Sequence, residues 1–220
     1  MEKDKQSEQS GAQRILGQGH MSWKDGGFFL WNVPGIIFPL YSFVDLTYSL
    51  RQACGDEFNS LSYEVGERQT IIGVDYMKQR FGFKREIDLV NSILQQSAIL
   101  GYGLFSVVKL DAKNCSATFK NQNNAFAKCY KQMYGPMQEA IDYYFSGTMA
   151  GVMEAMTGKT LAAVETECIA KGDPHCIFEV RLPEKIAPEY KHQLPKVLLG
   201  PAKIRELVGK EKEIVSTPKL

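Results

Sequence analysis

Three residues in the second half of the chain, Glu165, Cys168 and Cys176, have side chains of the types that bind zinc. A thiolate sulfur lies about 2.3 Å and a carboxylate oxygen about 2.0–2.2 Å from a bound zinc ion, and a tetrahedral site would need a fourth ligand from elsewhere. Two residues separate the glutamate from the first cysteine and seven separate the cysteines, which is not the spacing of a CxxC knuckle. The alternative interpretation is two small buried thiols and a solvated glutamate.

A turn lies between the two cysteines. Gly172-Asp173-Pro174 has the composition of a tight turn. The flanking stretches, Leu161–Ile169 and Cys176–Leu182, are rich in β-branched and apolar residues, as strands are. The pattern predicts a β-hairpin that brings both sulfurs and the carboxylate to one end.

Hydrophobic periodicity predicts the elements that must position this hairpin. A first strand is expected at Phe28–Val33, and a second hairpin from Leu104–Leu110 and Ser116–Lys120. Asn121–Tyr134 is predicted to be a connecting segment that is helical in part. The predicted helices are Ile37–Ala53, Asp56–Phe81, Lys84–Leu100, Pro136–Thr157 and Glu189–Lys212. This order predicts an α+β fold in which helices cover an antiparallel four-stranded sheet.

Two glycines of the predicted long helix, Gly147 and Gly151, lie one turn apart. Because neither has a side chain, we expect another backbone to approach this face of the helix closely.

Length and composition bound the organisation of the protein. A chain of 220 residues can form one domain with tails, and we predict a mobile tail at 1–25, a folded domain at 26–183 and a charged C-terminal helix and tail at 184–220. The net charge of +1 argues against a direct nucleic-acid-binding surface.

The number of cysteines and the N-terminal sequence indicate the redox state of the cellular compartment. An odd number of cysteines, five, without an opening secretory signal favours a reducing cytoplasm. The stretch Gly27–Val44 carries no charge, but Pro34-Gly35 and Pro39 interrupt it, so we predict no membrane span.

Catalytic motifs are not apparent in the sequence. Gly101-Tyr102-Gly103 lacks the third glycine of a dinucleotide fingerprint, and the three histidines form no recognisable nucleophile–base arrangement. Without a nicotinamide, flavin or hydrolase motif, the sequence favours a binding protein over an enzyme.

The region Asn123–Phe178 resembles a known family. Gly147-x-x-x-Gly151 and Gly158-Lys159, followed by Glu165-x-x-Cys168-x-x-x-Gly172-Asp173-Pro174-x-Cys176, look like the signature of the 4-vinyl reductase domain. That family includes the aromatic-sensing domains of phenol- and xylene-responsive bacterial activators and a bacteriochlorophyll-biosynthesis protein. Such domains resemble trafficking-complex subunits of the TRAPP type, in the ligand-binding fold of NO signalling and Golgi transport. The resemblance implies helices packed on an antiparallel sheet, usually in a homodimer.

The resemblance also implies a zinc site. In the sensor members, the equivalents of Glu165, Cys168 and Cys176 bind zinc with a cysteine five residues before the first helix glycine, a position that Asp142 occupies here. The implied structural site is Asp142, Glu165, Cys168 and Cys176. The alternatives for the fourth ligand are Cys129, His175 or a water molecule.

A ligand pocket is implied as well, between the sheet and the helices. In sensor relatives it lies near a tryptophan whose position is Ala125 here. The aromatic residues that could line an apolar cavity are Phe126, Tyr130, Tyr143, Tyr144 and Phe145. They could equally be ordinary core residues.

From the residues and the resemblance together, we predict a domain that binds or senses a small hydrophobic or aromatic molecule beside a structural zinc ion. One alternative is an enzyme or accessory protein for vinyl-group reduction in tetrapyrrole metabolism of the bacteriochlorophyll type. A further alternative is an assembly or scaffold subunit, which rests on fold analogy alone.

Overall fold

A computed structural model describes residues 21–30 and 33–207 of the chain. The chain divides into two compact units, Met1–Phe43 and Val44–Leu220. Within the described ranges, none of the helices is both long enough and apolar enough to cross a bilayer.

The first unit contains a three-stranded antiparallel sheet of β1 (Met21–Lys24), β2 (Gly27–Leu30) and β3 (Val33–Gly35). Asp25 and Gly26 connect β1 to β2 with φ values of 51° and 79°, which is typical of a two-residue hairpin turn. Residues 21–25 therefore differ from the predicted mobile tail, because this turn lets a polar stretch pair with β2. The single strand predicted at Phe28–Val33 is wrong, since residues 28–30 lie in β2 and Val33 begins β3. The rest of that predicted tail, 1–20, and residues 31–32 of the predicted strand lie outside the described residues.

The α-helices that follow up to residue 157 are α1 (Leu40–Cys54), α2 (Asp56–Phe81), α3 (Glu86–Ile99), α4 (Ala125–Tyr134) and α5 (Tyr143–Thr157). The predicted bounds of α2 are confirmed, and Gly82 ends this helix in the left-handed conformation with φ 59°. The long helix predicted from Pro136 begins only at Tyr143. Asp142 caps it, since its carboxylate accepts a hydrogen bond from the Phe145 N–H at 3.4 Å.

The second unit is built on one antiparallel sheet of β4 (Phe105–Asp111), β5 (Ser116–Asn121), β6 (Ala162–Glu167) and β7 (Cys176–Arg181). The strand order is β4-β5-β7-β6, so the two predicted hairpins join through β5 and β7. Apolar side chains of the sheet and of α2, α3, α4 and α5 form the core. The predicted α+β fold with a four-stranded antiparallel sheet is confirmed.

Glycines allow α2 and α5 to cross at close range. A Cβ built on Gly151 would lie 2.7 Å from the carbonyl oxygen of Glu67, and one built on Gly147 would overlap the carbonyl oxygen of Tyr63. The predicted close approach of another backbone to this face is therefore confirmed.

Two carboxyl groups are buried at the same crossing. The carboxyl groups of Glu67 and Glu154 lie within hydrogen-bonding reach of each other, so one proton can bridge them. Apart from Glu154, the carboxyl of Glu67 has no hydrogen-bond partner among the described residues, whereas Glu154 Oε1 also accepts the Leu161 N–H at 2.7 Å. Burial and then the negative charge of Glu154 raise the pKa of Glu67 to about 9. Burial raises the pKa of Glu154 to about 7. The pair therefore keeps at least one proton at neutral pH, because two buried like charges in contact cannot both ionise.

Glu67→Gln is expected to flatten the dependence of stability on pH. Because both folded-state pKa values lie above their unfolded values, the pair's contribution to stability is full below about pH 4.5 and is lost as pH rises through 7 and 9. Between pH 5 and pH 8 the wild type should lose about 1–3 kcal/mol more unfolding free energy than the variant. Urea unfolding across this range measures the difference.

Glu86→Gln, at an exposed position of α3, is the control, and its unfolding free energy should depend on pH as that of the wild type does. Parallel curves of unfolding free energy against pH for the wild type and Glu67→Gln would contradict the shared proton.

The segment after β7 differs from the predicted helix Glu189–Lys212. It contains two short 3₁₀ turns, Pro183–Lys185 and Pro188–Gln193, and a helix at 201–207, with 208–212 outside the described residues. Pro195 and Pro201 prevent one continuous helix. The segment is not a surface helix either, because Gln193 and Ile204 are buried.

Candidate metal centre and ligand cavity

The β6–β7 hairpin brings Glu165, Cys168 and Cys176 together as the sequence predicts. One ligand atom from each residue, a carboxylate oxygen or a sulfur, lies within 4.8 Å of the other two. Glu165 lies on β6, Cys168 follows the end of that strand, and Cys176 begins β7. All three side chains are buried, so the predicted alternative of a solvated glutamate is wrong.

The loop between the cysteines is held by its own hydrogen bonds. Asp173 accepts the Cys168 N–H on its carboxylate at 2.7 Å and donates its own N–H to the Cys168 carbonyl at 3.2 Å. Gly172 has φ 119°, which favours glycine at this position. The Gly-Asp-Pro turn thus fixes the position of the first cysteine.

Hydrogen bonds to the three residues leave one acceptor free. Glu165 Oε2 accepts the N–H groups of Ile141 at 3.3 Å and Asp142 at 3.2 Å. Glu165 Oε1 is buried and has no hydrogen-bond partner in the described part of the chain. An unpaired buried carboxylate oxygen is costly, and a cation would satisfy it.

The pKa values of the two thiols shift in opposite directions. The interaction with Cys176 lowers the pKa of Cys168 to about 7, and the same interaction, together with burial, raises the pKa of Cys176 far above its usual range. Burial also raises the pKa of Glu165. Without a cation the cluster therefore retains protons, which a bound metal would displace.

Asp142, the predicted fourth ligand, lies beside this cluster and has other partners. Besides capping α5, its carboxylate accepts a hydrogen bond from Asn124 Nδ2 at 2.6 Å. The same amide nitrogen lies 3.5 Å from Cys176 Sγ, so Asn124 links the aspartate to the cluster. Burial and the charge of Glu165 raise the pKa of Asp142 to about 8.

The other candidates for the fourth position contact different groups. His175 Nε2 lies 3.0 Å from a carboxylate oxygen of Glu167, and Cys129 Sγ lies 3.8 Å from the sulfur of Met133. The three gathered residues fit a zinc ion, because two thiols and one carboxylate, whose Oε1 is buried and free, match its usual ligands.

A partly open cavity of about 220 Å³ lies between α2, α3 and α5. Of the predicted pocket residues, Tyr144 and Phe145 line it. Phe126 and Tyr130 are buried on α4, and Tyr143 packs under the guanidinium of Arg51 at 5.7 Å. The other lining residues are Gln69, Thr70, Gly73, Val74, Met77, Ile93, Gln96, Ser97, Leu100, Tyr102 and Thr148.

The polar groups of the cavity wall are not all satisfied. Tyr144 donates its hydroxyl to Gln69 at 2.9 Å, and Ser97 donates its hydroxyl to the Ile93 carbonyl at 3.2 Å. Thr148 is 7 % exposed, and its hydroxyl oxygen has no hydrogen-bond partner among the residues that the structure describes. The cavity therefore contains one hydroxyl that a bound molecule could satisfy.

The structure is similar to the phenol-responsive sensory domain of the transcription activator PoxR, solved with phenol. The TM-score is 0.68 at 17 % sequence identity, over 80 % of this chain and 90 % of that domain. The chain has the fold of that sensory domain.

Two further solved structures are similar over part of this fold. A vinyl-4-reductase family protein from Methanocaldococcus jannaschii has a TM-score of 0.46 at 17 % identity, over 67 % of this chain and 83 % of that protein. A trafficking protein particle complex subunit 3 from Naegleria fowleri, covalently bound to palmitic acid, has a TM-score of 0.45 at 15 % identity, over 65 % of this chain and 94 % of that subunit. No family model and no curated protein matches the sequence.

Most of the cavity wall was not predicted from the sequence. The wall residues on α2 and α3 carry no motif, and whether they face a cavity depends on how three helices pack. Thr148 gives a weak signal, because it is a hydroxyl residue within a helix of apolar and small residues.

Proposed function

We propose that the chain is a small-molecule-binding domain that holds a one-ring aromatic molecule in the cavity between α2, α3 and α5. An apolar cavity of about 150 Å³ accommodates benzene, so a volume of about 220 Å³ suits one ring with a substituent. The PoxR sensory domain, whose fold this chain has, was solved with phenol. The fold and the cavity size support the same class of ligand.

The observation that carries this proposal is the unpaired hydroxyl of Thr148. A threonine within a helix commonly donates to the carbonyl one turn earlier, and a buried hydroxyl without a partner costs about 1–3 kcal/mol. A ligand hydroxyl would remove that cost, while Val74, Ile93 and Phe145 would contact its ring. The cavity therefore favours a hydroxylated aromatic molecule over a purely apolar one.

Thr148→Val is expected to weaken phenol binding about 5–10-fold and to leave toluene binding unchanged, because only the hydroxyl is removed. Isothermal titration calorimetry with both compounds measures the two affinities. Thr157→Val is the matched control, since that hydroxyl lies on the same helix but donates to the Met153 carbonyl at 2.8 Å. Equal losses for phenol and toluene, or no binding of either by the wild type, would contradict the proposal.

The proposed metal is a structural zinc ion bound by Glu165, Cys168 and Cys176. Asp142, whose N–H already donates to Glu165, is the proposed fourth ligand. Zinc at this position would tie the β6–β7 hairpin to the start of α5, whose first turns carry Tyr144 and Thr148 of the cavity wall. The metal would therefore hold the cavity in shape rather than contact the ligand.

We further propose that the domain acts as a homodimer in the cytoplasm and reports ligand occupancy to a partner protein. Exposed apolar side chains on α1, among them Leu46 and Leu50, support a surface that a second subunit covers. No observation on the described residues favours vinyl-group reduction or a pure scaffold over ligand binding.

A further inference from the structure

The main-chain N–H and carbonyl of Glu165 form hydrogen bonds with a side chain rather than with a neighbouring strand. β6 lies at the edge of the four-stranded sheet. On its outer side, the Glu165 N–H donates to Gln193 Oε1 at 2.9 Å, and Gln193 Nε2 donates to the Glu165 carbonyl at 3.0 Å. The amide of Gln193 thus replaces one residue of a neighbouring strand.

These two bonds lie where β6 is irregular. Glu165 is paired with Phe178, but the next paired residue, Glu167, is opposite Ile177, so the register shifts between the two glutamates. Such a bulge bends the strand and interrupts its ladder, which leaves the direction of the neighbouring side chains less constrained by β7. The backbone at Glu165 needs another restraint if its carboxylate is to keep one direction.

The segment that carries Gln193 is itself fixed on the sheet. Ile186 is buried against Ala162 and Val164 on β6, in a small apolar cluster outside the main core. Gln193 is 5 % exposed, so its hydrogen bonds to Glu165 are shielded from water. A buried side-chain amide with both ends bonded to one residue holds that residue firmly.

We propose that Gln193 is a positioning residue for the metal centre, which sets the direction of the Glu165 carboxylate by holding both the N–H and the carbonyl of Glu165. This inference rests on the proposed metal site. Metal ligands must lie within about 0.2 Å of their ideal distances, and residues that orient a ligand typically contribute about 10–100-fold to metal affinity. Gln193 orients Glu165 in this way from a position 28 residues further along the chain.

The test compares zinc affinity and stability in Gln193→Met, which keeps the side-chain volume and removes both hydrogen bonds. Zinc affinity is measured by competition with a chromogenic chelator, and the visible spectrum of the cobalt(II) form reports ligand geometry. We expect zinc to bind about 10–100-fold more weakly and the cobalt spectrum to change. Gln193→Glu, which can still accept the Glu165 N–H, should recover part of the affinity.

Ile186→Ala is the matched control, because it loosens the same segment but leaves both hydrogen bonds in place. It should lower the Tm of the metal-free protein while its zinc affinity stays within about threefold of wild type. Wild-type zinc affinity in Gln193→Met, or an equal loss in Ile186→Ala, would overturn the positioning role alone. A wild-type protein that binds no zinc would overturn the metal site itself, and the first titration shows this before any variant is compared.

Discussion

Cys168→Ser is expected to release zinc from the protein and to lower its Tm by about 10–15 °C. The substitution removes one of the two sulfurs in a buried cluster where Glu165 Oε1 has no other partner within the described chain. A lost metal ligand in a structural site costs folding free energy directly, here about 3–5 kcal/mol, which corresponds to that Tm shift in a domain of this size. Elemental analysis of protein purified without chelator, followed by thermal unfolding, measures both effects.

Cys115→Ser is the matched control for this prediction. Cys115 is buried like Cys168 but lies outside the cluster, on the turn between β4 and β5. Serine there should cost only about 1–2 kcal/mol and leave the zinc content unchanged. A metal-free wild type, or a Cys168→Ser protein with unchanged Tm, would contradict the structural metal site.

Gly147→Ala is expected to prevent folding or to cost at least about 3 kcal/mol. The added methyl group would overlap the backbone carbonyl of Tyr63, and backbone cannot rotate away as a side chain can. The two helices would have to separate, which would unpack the core around α5. Yield of soluble protein and urea unfolding measure the loss.

Gly73→Ala provides the comparison on α2. A Cβ there would meet no atom within 4 Å, so the better helix propensity of alanine should stabilise the protein by about 0.5–1 kcal/mol. Equal behaviour of Gly73→Ala and Gly147→Ala would show that the close crossing of α2 and α5 does not limit stability.

Local patterns account for the parts of the fold that could be predicted. The C-terminal end of α2 was predicted to the residue because Gly82 can adopt the left-handed conformation that ends a helix. The start of α5 was predicted seven residues too early, at 136 rather than 143, because its cap is a single hydrogen bond that the Asp142 carboxylate accepts from the Phe145 N–H. The continuous helix predicted at Glu189–Lys212 is wrong for a different reason, because Pro195 and Pro201 lie within it and cannot occupy a helix interior.

By itself, the sequence determined the grouping of Glu165, Cys168 and Cys176 and the small-residue face of α5. Glu165, Cys168 and Cys176 lie within one hairpin, so a single turn suffices to bring them together, and the two glycines share a face through helical spacing alone. Only the tertiary structure decided which distant groups meet. Three features join residues of separate elements. They are the cavity around Thr148, the paired carboxyls of Glu67 and Glu154, and the hydrogen bonds between Gln193 and Glu165. Periodicity shows which face of an element is buried, but the packing of the whole chain determines what that face contacts.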